Sequence, residues 1–96
     1  MKIKIANTFT KRLIGLMFKK NIDYGLLFEN IAHPSIHTSF MRFEIDVYFL
    51  DNNFNVVDKT TLKPWKYYKS DKKCKYILET KKDKLKIEIG EKLELV

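Results

Sequence analysis

The 96-residue chain has one cysteine, two prolines, three glycines and two histidines. A lone thiol, Cys74, excludes an intramolecular disulfide framework and any zinc site built mainly on thiolates. Lys72, Lys73 and Lys75 around it favour its thiolate, yet an incidental surface or edge-strand thiol is the simpler reading. Three glycines leave no Gly-x-Gly-x-x-Gly fingerprint, no phosphate-binding loop and no nucleophile elbow. Serine occurs only at Ser35, Ser39 and Ser70, and no spacing favours a Ser/His/Asp arrangement over chance. His33 and His37 are separated by Pro34, which forbids the helical two-histidine metal pattern. An extended chain puts them about 13 Å apart, so no metal site is expected. The longest apolar run, Leu13–Phe18 with Gly15 inside it, is far short of the roughly 18 residues that span a bilayer. The N-terminus alternates charged and apolar residues and lacks the apolar block of a signal peptide. The expectation is a soluble, cytoplasmic protein with no membrane span.

What is present is charge and aromatic surface. The net charge is +7 and aromatics make up 14% of the chain, too many for a disordered one. The length fits one domain, 1–96, able to bury roughly two thirds of the surface its unfolded form exposes. Residues 1–58 carry a net charge of +1, residues 59–86 a net of +8 and residues 87–96 a net of −2. The excess therefore belongs to one segment, in which Lys63, Lys66, Lys69, Lys72 and Lys73 interleave with Trp65 and Tyr67. Lysines can neutralise phosphates while aromatics stack on bases. Seventeen of the 19 basic residues are lysine, however, and arginine is the better base reader. A solvated loop is the favoured reading of this segment. Contact with nucleic acid is the alternative, and an acidic protein partner comes third.

Periodicity predicts mostly strands. Lys2–Ala6 alternates, with Ile3 and Ile5 on one face. Phe9, Leu13, Leu16 and Met17 recur at helical spacing, behind a cap at Thr8 or Thr10. Gly25–Glu29 is a short apolar strand. From Ile36 to Leu50 the pattern is extended, with Phe43, Ile45, Val47 and Phe49 on one buried face and Glu44, Asp46 and Tyr48 on the other. Asp51-Asn52-Asn53 turns the chain into a second strand, Phe54–Lys59. Tyr76–Thr80 is another strand. Residues 82–89 read as strand or as a brief helical turn. The fold class is mainly β, α+β at the margin: a compact antiparallel sandwich, jelly-roll-like or barrel-like, with one or two short helices.

Several blocks stand in order: Arg12-x-x-Gly15-Leu16-Met17, then Gly25-Leu26-Leu27-Phe28, then His37-Thr38-Ser39-Phe40-Met41-Arg42-Phe43-Glu44-Ile45-Asp46-Val47. Val56-Val57, Lys63-Pro64-Trp65, Tyr76-Ile77-Leu78-Glu79 and Gly90-Glu91-Lys92 follow. Over nearly the whole chain this resembles the DUF192 family, small bacterial and archaeal proteins without an established function. The resemblance implies the β-sandwich or jelly-roll fold with short helices and no cofactor. Ser39 stands where members often carry an aromatic, which argues against an aromatic pocket there. Glu44 stands where they often carry proline, and it keeps a backbone donor. Many members carry an export signal, and an intracellular version without one is the expectation for this chain.

The candidate polar constellation is Arg12, His37, Arg42 and Asp46. In one unbroken strand Arg42, Glu44 and Asp46 would share a face, and Asp46 would pair with Arg42 or with Arg12. A bidentate pair pinning the structure is the favoured role of Asp46. The leading function is a non-catalytic module that binds a small ligand or a protein through His37, Met41, Arg42, Asp46 and Trp65. Weak nucleic-acid binding through residues 63–76 is the alternative, and a small hydrolase or lyase using Asp46 or His37 comes last.

Overall fold

In the computed structural model the described residues are 2–6, 19–29 and 35–94. Seven strands follow in chain order: β1 (Lys2–Ile5), β2 (Tyr24–Glu29), β3 (Ser35–His37), β4 (Ile45–Leu50), β5 (Val56–Leu62), β6 (Tyr67–Lys69) and β7 (Tyr76–Lys81). They form a five-stranded sheet in the order β1-β2-β7-β4-β5 and a two-stranded sheet, β3-β6. The sheets are not closed into a barrel, so the sandwich form of the expectation holds and the barrel form does not. All pairings are antiparallel except β1 with β2. A parallel pair needs a crossover, which the chain between β1 and β2 supplies. The helix expected over Phe9–Met17 lies there, outside the described residues. Among the described residues there is no helix, and none long and apolar enough to cross a membrane.

The β4–β5 hairpin forms about the predicted Asp51-Asn52-Asn53 turn, its second strand running Val56–Leu62 rather than the expected Phe54–Lys59, with Val47 opposite Thr60 and a register shift at Phe49/Leu50. The Asp51 carboxylate shapes the turn by accepting from the Asn53 and Asn55 amides, both at 2.9 Å. Those bonds hold its carboxyl below the usual carboxylate range.

Two expectations fail here. The chain is not extended from Ile36 to Leu50, because a turn at Thr38–Met41 interrupts it and β4 starts only at Ile45. β4 also does not bury one face alone. Ile45, Val47 and Phe49 enter a core between the two sheets, with Leu26, Ile36, Met41, Leu62 and Ile77. Tyr48 and Leu50 enter a second core on the other side, with Leu27, Val56, Leu78 and Leu93.

The second core exists because the chain after β7 doubles back under the sheet. Residues 82–89 are neither strand nor helix but an irregular cover, with Leu85 and Ile87 packed against the second core. Beyond it the chain caps the edge of β5: Val56 N–H donates to Glu91 C=O and Leu93 N–H to Phe54 C=O, each at 2.8 Å. An edge strand capped this way offers no free ladder to another chain there.

Candidate functional site

Thr38 follows β3 and is fully buried. Its hydroxyl donates to the Lys63 carbonyl at 2.6 Å and accepts from the Lys66 amide at 2.7 Å. Its own N–H donates to Lys66 C=O (2.8 Å), and its C=O accepts from the amides of Trp65 (2.9 Å) and Met41 (3.1 Å). Two turns, 38–41 and 63–66, are thus built around one threonine. Each carries an aromatic in left-handed backbone: Phe40 and Trp65, both with φ near 63°. A bulky residue rarely adopts this conformation, which costs about 1–3 kcal/mol and persists only where the surroundings impose it. The two rings meet edge to face, centroids 4.6 Å apart, a geometry worth about 0.5–1.5 kcal/mol. Phe54 has a similar φ of 64°, but it packs into the second core and stacks on Tyr76. Phe40 and Trp65 instead remain 46% and 62% exposed.

Beside the turns lies the β3–β6 ribbon, which replaces part of the loop expected after Pro64. His37 pairs with Tyr67, Ile36 with Tyr68 and Ser35 with Lys69. Ile36 and Tyr68 face inward, Tyr68 reaching the Phe49 ring at 5.8 Å. His37, Tyr67 and Lys69 face outward, and all three are exposed. Asp58 on β5 anchors the ribbon: its carboxylate accepts from Tyr68 Oη (2.7 Å) and Ser70 Oγ (2.6 Å). Burial alone would raise the Asp58 pKa, but the Ser70 and Tyr68 hydroxyls outweigh it and hold the carboxyl below its ordinary value. The same bond, with burial, pushes the Tyr68 phenol up to about 12.

The expected site residues separate. His37, Arg42 and Trp65 belong to the ribbon and its turns and are exposed, whereas Met41 is buried in the first core. Asp46 is not with them. It lies on the opposite side of the sheet, where it accepts from Thr61 Oγ1 at 2.5 Å and from the Asp83 amide at 2.9 Å. Among the described residues its carboxylate has no ion-pair partner, so the expected pairing with Arg42 is absent: without a continuous strand, the two do not share a face. Arg12 and His33 lie outside the described residues. No cluster that could hold a metal occurs among the described residues.

Asp46 lines a cleft of about 320 Å³ with Tyr48, Lys59, Thr61, Asp83 and Glu88. Its polar groups tie the 82–88 cover down. Tyr48 Oη donates to Leu85 C=O at 3.0 Å, and Lys59 Nζ reaches Ile87 C=O and the Glu88 carboxylate, each at 3.1 Å. Burial, and next the Asp46 charge, push the Tyr48 phenol up to about 12, so it stays a neutral donor at ordinary pH.

Three residues here were not singled out by the sequence. Thr38 carries no sequence signal, because its partners are 25 and 28 residues away. Asp58 is a carboxylate within a strand. Glu79 interrupts an apolar run, a visible signal of a buried charge. It lies opposite Leu26 and Val47, is 6% exposed, and burial pushes its carboxyl up to about 7.

The family model DUF192, described as "Uncharacterized ACR", matches residues 1–95. The chain belongs to the DUF192 family. This DUF192 chain is 46% identical over 100 residues to UPF0127 protein PH1112 of Pyrococcus horikoshii, covering 97% of the chain and 86% of the relative. It is 42% identical over 101 residues to UPF0127 protein PF1050 of Pyrococcus furiosus, covering 98% and 86%. Its fold is similar to the crystal structure of a protein of unknown function from Novosphingobium aromaticivorans, with a TM-score of 0.73 and 16% identity over 82% of this chain and 61% of that one.

Proposed function

We propose that this DUF192 domain is a non-catalytic binding module whose recognition surface is the outer face of the β3–β6 ribbon with its two turns. One observation carries the reading. Two aromatics are held in strained backbone by a buried threonine and left on the surface. Strain kept without burial of the rings is the pattern of a preorganised contact. Tyr67, 66% exposed, extends the same apolar surface.

The catalytic alternative has less support. Both Asp46 oxygens are already acceptors, one to Thr61 and one to the Asp83 amide. His37 stands on the ribbon rather than among the residues of the cleft. A general base must stand within reach of a substrate proton, and these two bonds hold the Asp46 carboxylate against the 82–88 cover.

Trp65, the sole tryptophan, reports directly on the surface. The test is to follow its emission while adding, separately, an oligodeoxythymidylate, a polyglutamate peptide and a mixture of free nucleotides and amino acids. A saturable change with at least one probe supports a binding surface. An emission unchanged by all of them overturns it.

A further inference from the structure

Residues 59–86 hold eleven lysines, three of them ion-paired among the described residues and eight not. Lys59, Lys75 and Lys82 are ion-paired with Glu88, Glu29 and Glu44. Lys63, Lys66, Lys69, Lys72 and Lys73 are exposed, and among the described residues none has an ion-pair partner. These five lie on the turn, the ribbon and the loop that follows it, beside Trp65 and Tyr67, while the other three unpaired lysines, Lys81, Lys84 and Lys86, lie at the end of β7 and on the cover. The acids near this face are few: Asp58 holds Tyr68 and Ser70 and feels the Lys72 charge, Asp71 lies exposed on the loop, and Asp46 is on the opposite side, so two carboxylates stand against five lysines.

We infer that the ribbon face binds single-stranded nucleic acid, its exposed rings stacking on bases while the five unpaired lysines neutralise phosphates. The inference rests on the binding-module reading and names its ligand. Unpaired cations alone would suit any polyanion. The rings decide between them, because bases present π-faces that an acidic peptide lacks. The five cations beside the rings are all lysines, which give charge neutralisation rather than base-edge recognition, so the binding is largely sequence-tolerant.

The experiment compares a fluorescent oligodeoxythymidylate of about twelve nucleotides with a polyglutamate peptide of equal charge, at several salt concentrations. The oligonucleotide is expected to bind more tightly and to quench Trp65. At about 0.7 released ions per neutralised phosphate, five lysines give a log–log salt slope near −3.5, about a hundredfold loss between roughly 50 and 200 mM salt. Changing Lys63, Lys66 and Lys69 together to Gln reduces the slope by about 2. Trp65→Asn, which suits a left-handed backbone, weakens binding about tenfold. Tyr67→Thr, which suits a strand, does the same. Circular dichroism confirms that each variant is folded. Polyglutamate binding as tightly as the oligonucleotide, or oligonucleotide binding indifferent to both ring substitutions, overturns the inference while a binding surface stands. Failure of both probes to bind overturns the inference, and the reading beneath it falls too only when the mixture of nucleotides and amino acids also leaves Trp65 emission unchanged.

Discussion

Replacing Thr38 with Val keeps the shape of the side chain and removes its hydroxyl. The Lys63 carbonyl loses the donor it meets at 2.6 Å, and the Lys66 amide loses the acceptor it meets at 2.7 Å. Thr38 is fully buried, so water cannot replace the lost partner without opening the turn. An orphaned buried polar group costs about 1–3 kcal/mol. The Lys63 carbonyl keeps a second lone pair, so the combined loss falls near 2–4 kcal/mol. A domain of this length has about 5–14 kcal/mol of stability in all. The substitution is therefore expected to lower the urea midpoint by about 1–2 M and Tm by 10 °C or more, at about 4–8 °C per kcal/mol. Urea unfolding followed by Trp65 emission and by circular dichroism measures the loss, and Thr38→Ser, which retains the hydroxyl, retains most of the stability. A Thr38→Val chain within about 0.5 kcal/mol of the parent would refute the claim that this hydroxyl builds the two turns.

Glu79 carries a folded-state pKa of about 7, above its ordinary value of 4.5. The native state then binds the extra proton, so this stability is complete below about pH 4 and is lost as pH rises through 7. The loss is about 3 kcal/mol. Glu79→Gln is expected to flatten that part of the stability profile and to be the more stable chain at pH 8; a less stable variant at pH 8 contradicts it. Asp58 acts in the opposite sense. Its folded pKa is lowered, so its contribution is present above about pH 4 and fades as pH falls through the folded value. Asp58→Ala should cost about 1–3 kcal/mol and speed amide exchange in residues 67–70, and unchanged exchange there would count against the anchor. Asp46→Ala removes the acceptor for Thr61 and the Asp83 amide. The expected cost is about 1–2 kcal/mol, with faster exchange confined to residues 82–88; a fully stable chain refutes the tie.

Local pattern made much of the scaffold legible. The alternation through Phe43–Leu50 and the Asp51–Asn53 turn placed the central hairpin, and β1, β2 and β7 fell where apolar runs marked them. The features that needed distant partners were not legible. The break at Thr38–Met41 depends on contacts with Lys63–Lys66, and nothing local at Phe40 announces a left-handed backbone. Tyr48 reads as a solvent-facing residue because its cover, Leu85 and Ile87, lies beyond three further strands. For the site, the exposed Trp65 and the lysine segment were visible in the composition. Their joining to His37 and Arg42 was not, since a buried threonine without a charge leaves no trace in the pattern. Asp46 was visible as a carboxylate with a structural role, but its partners, the Thr61 hydroxyl and a backbone amide, do not show in a search for opposite charges.

The most direct measurement is a backbone amide NMR titration of the whole chain with the oligodeoxythymidylate. Shifts clustered in residues 35–42 and 63–73, with the Trp65 indole N–H among the largest, are the expected result. Shifts centred on Asp46, Thr61 and residues 83–88, with the ribbon unmoved, would contradict a recognition surface on the β3–β6 face.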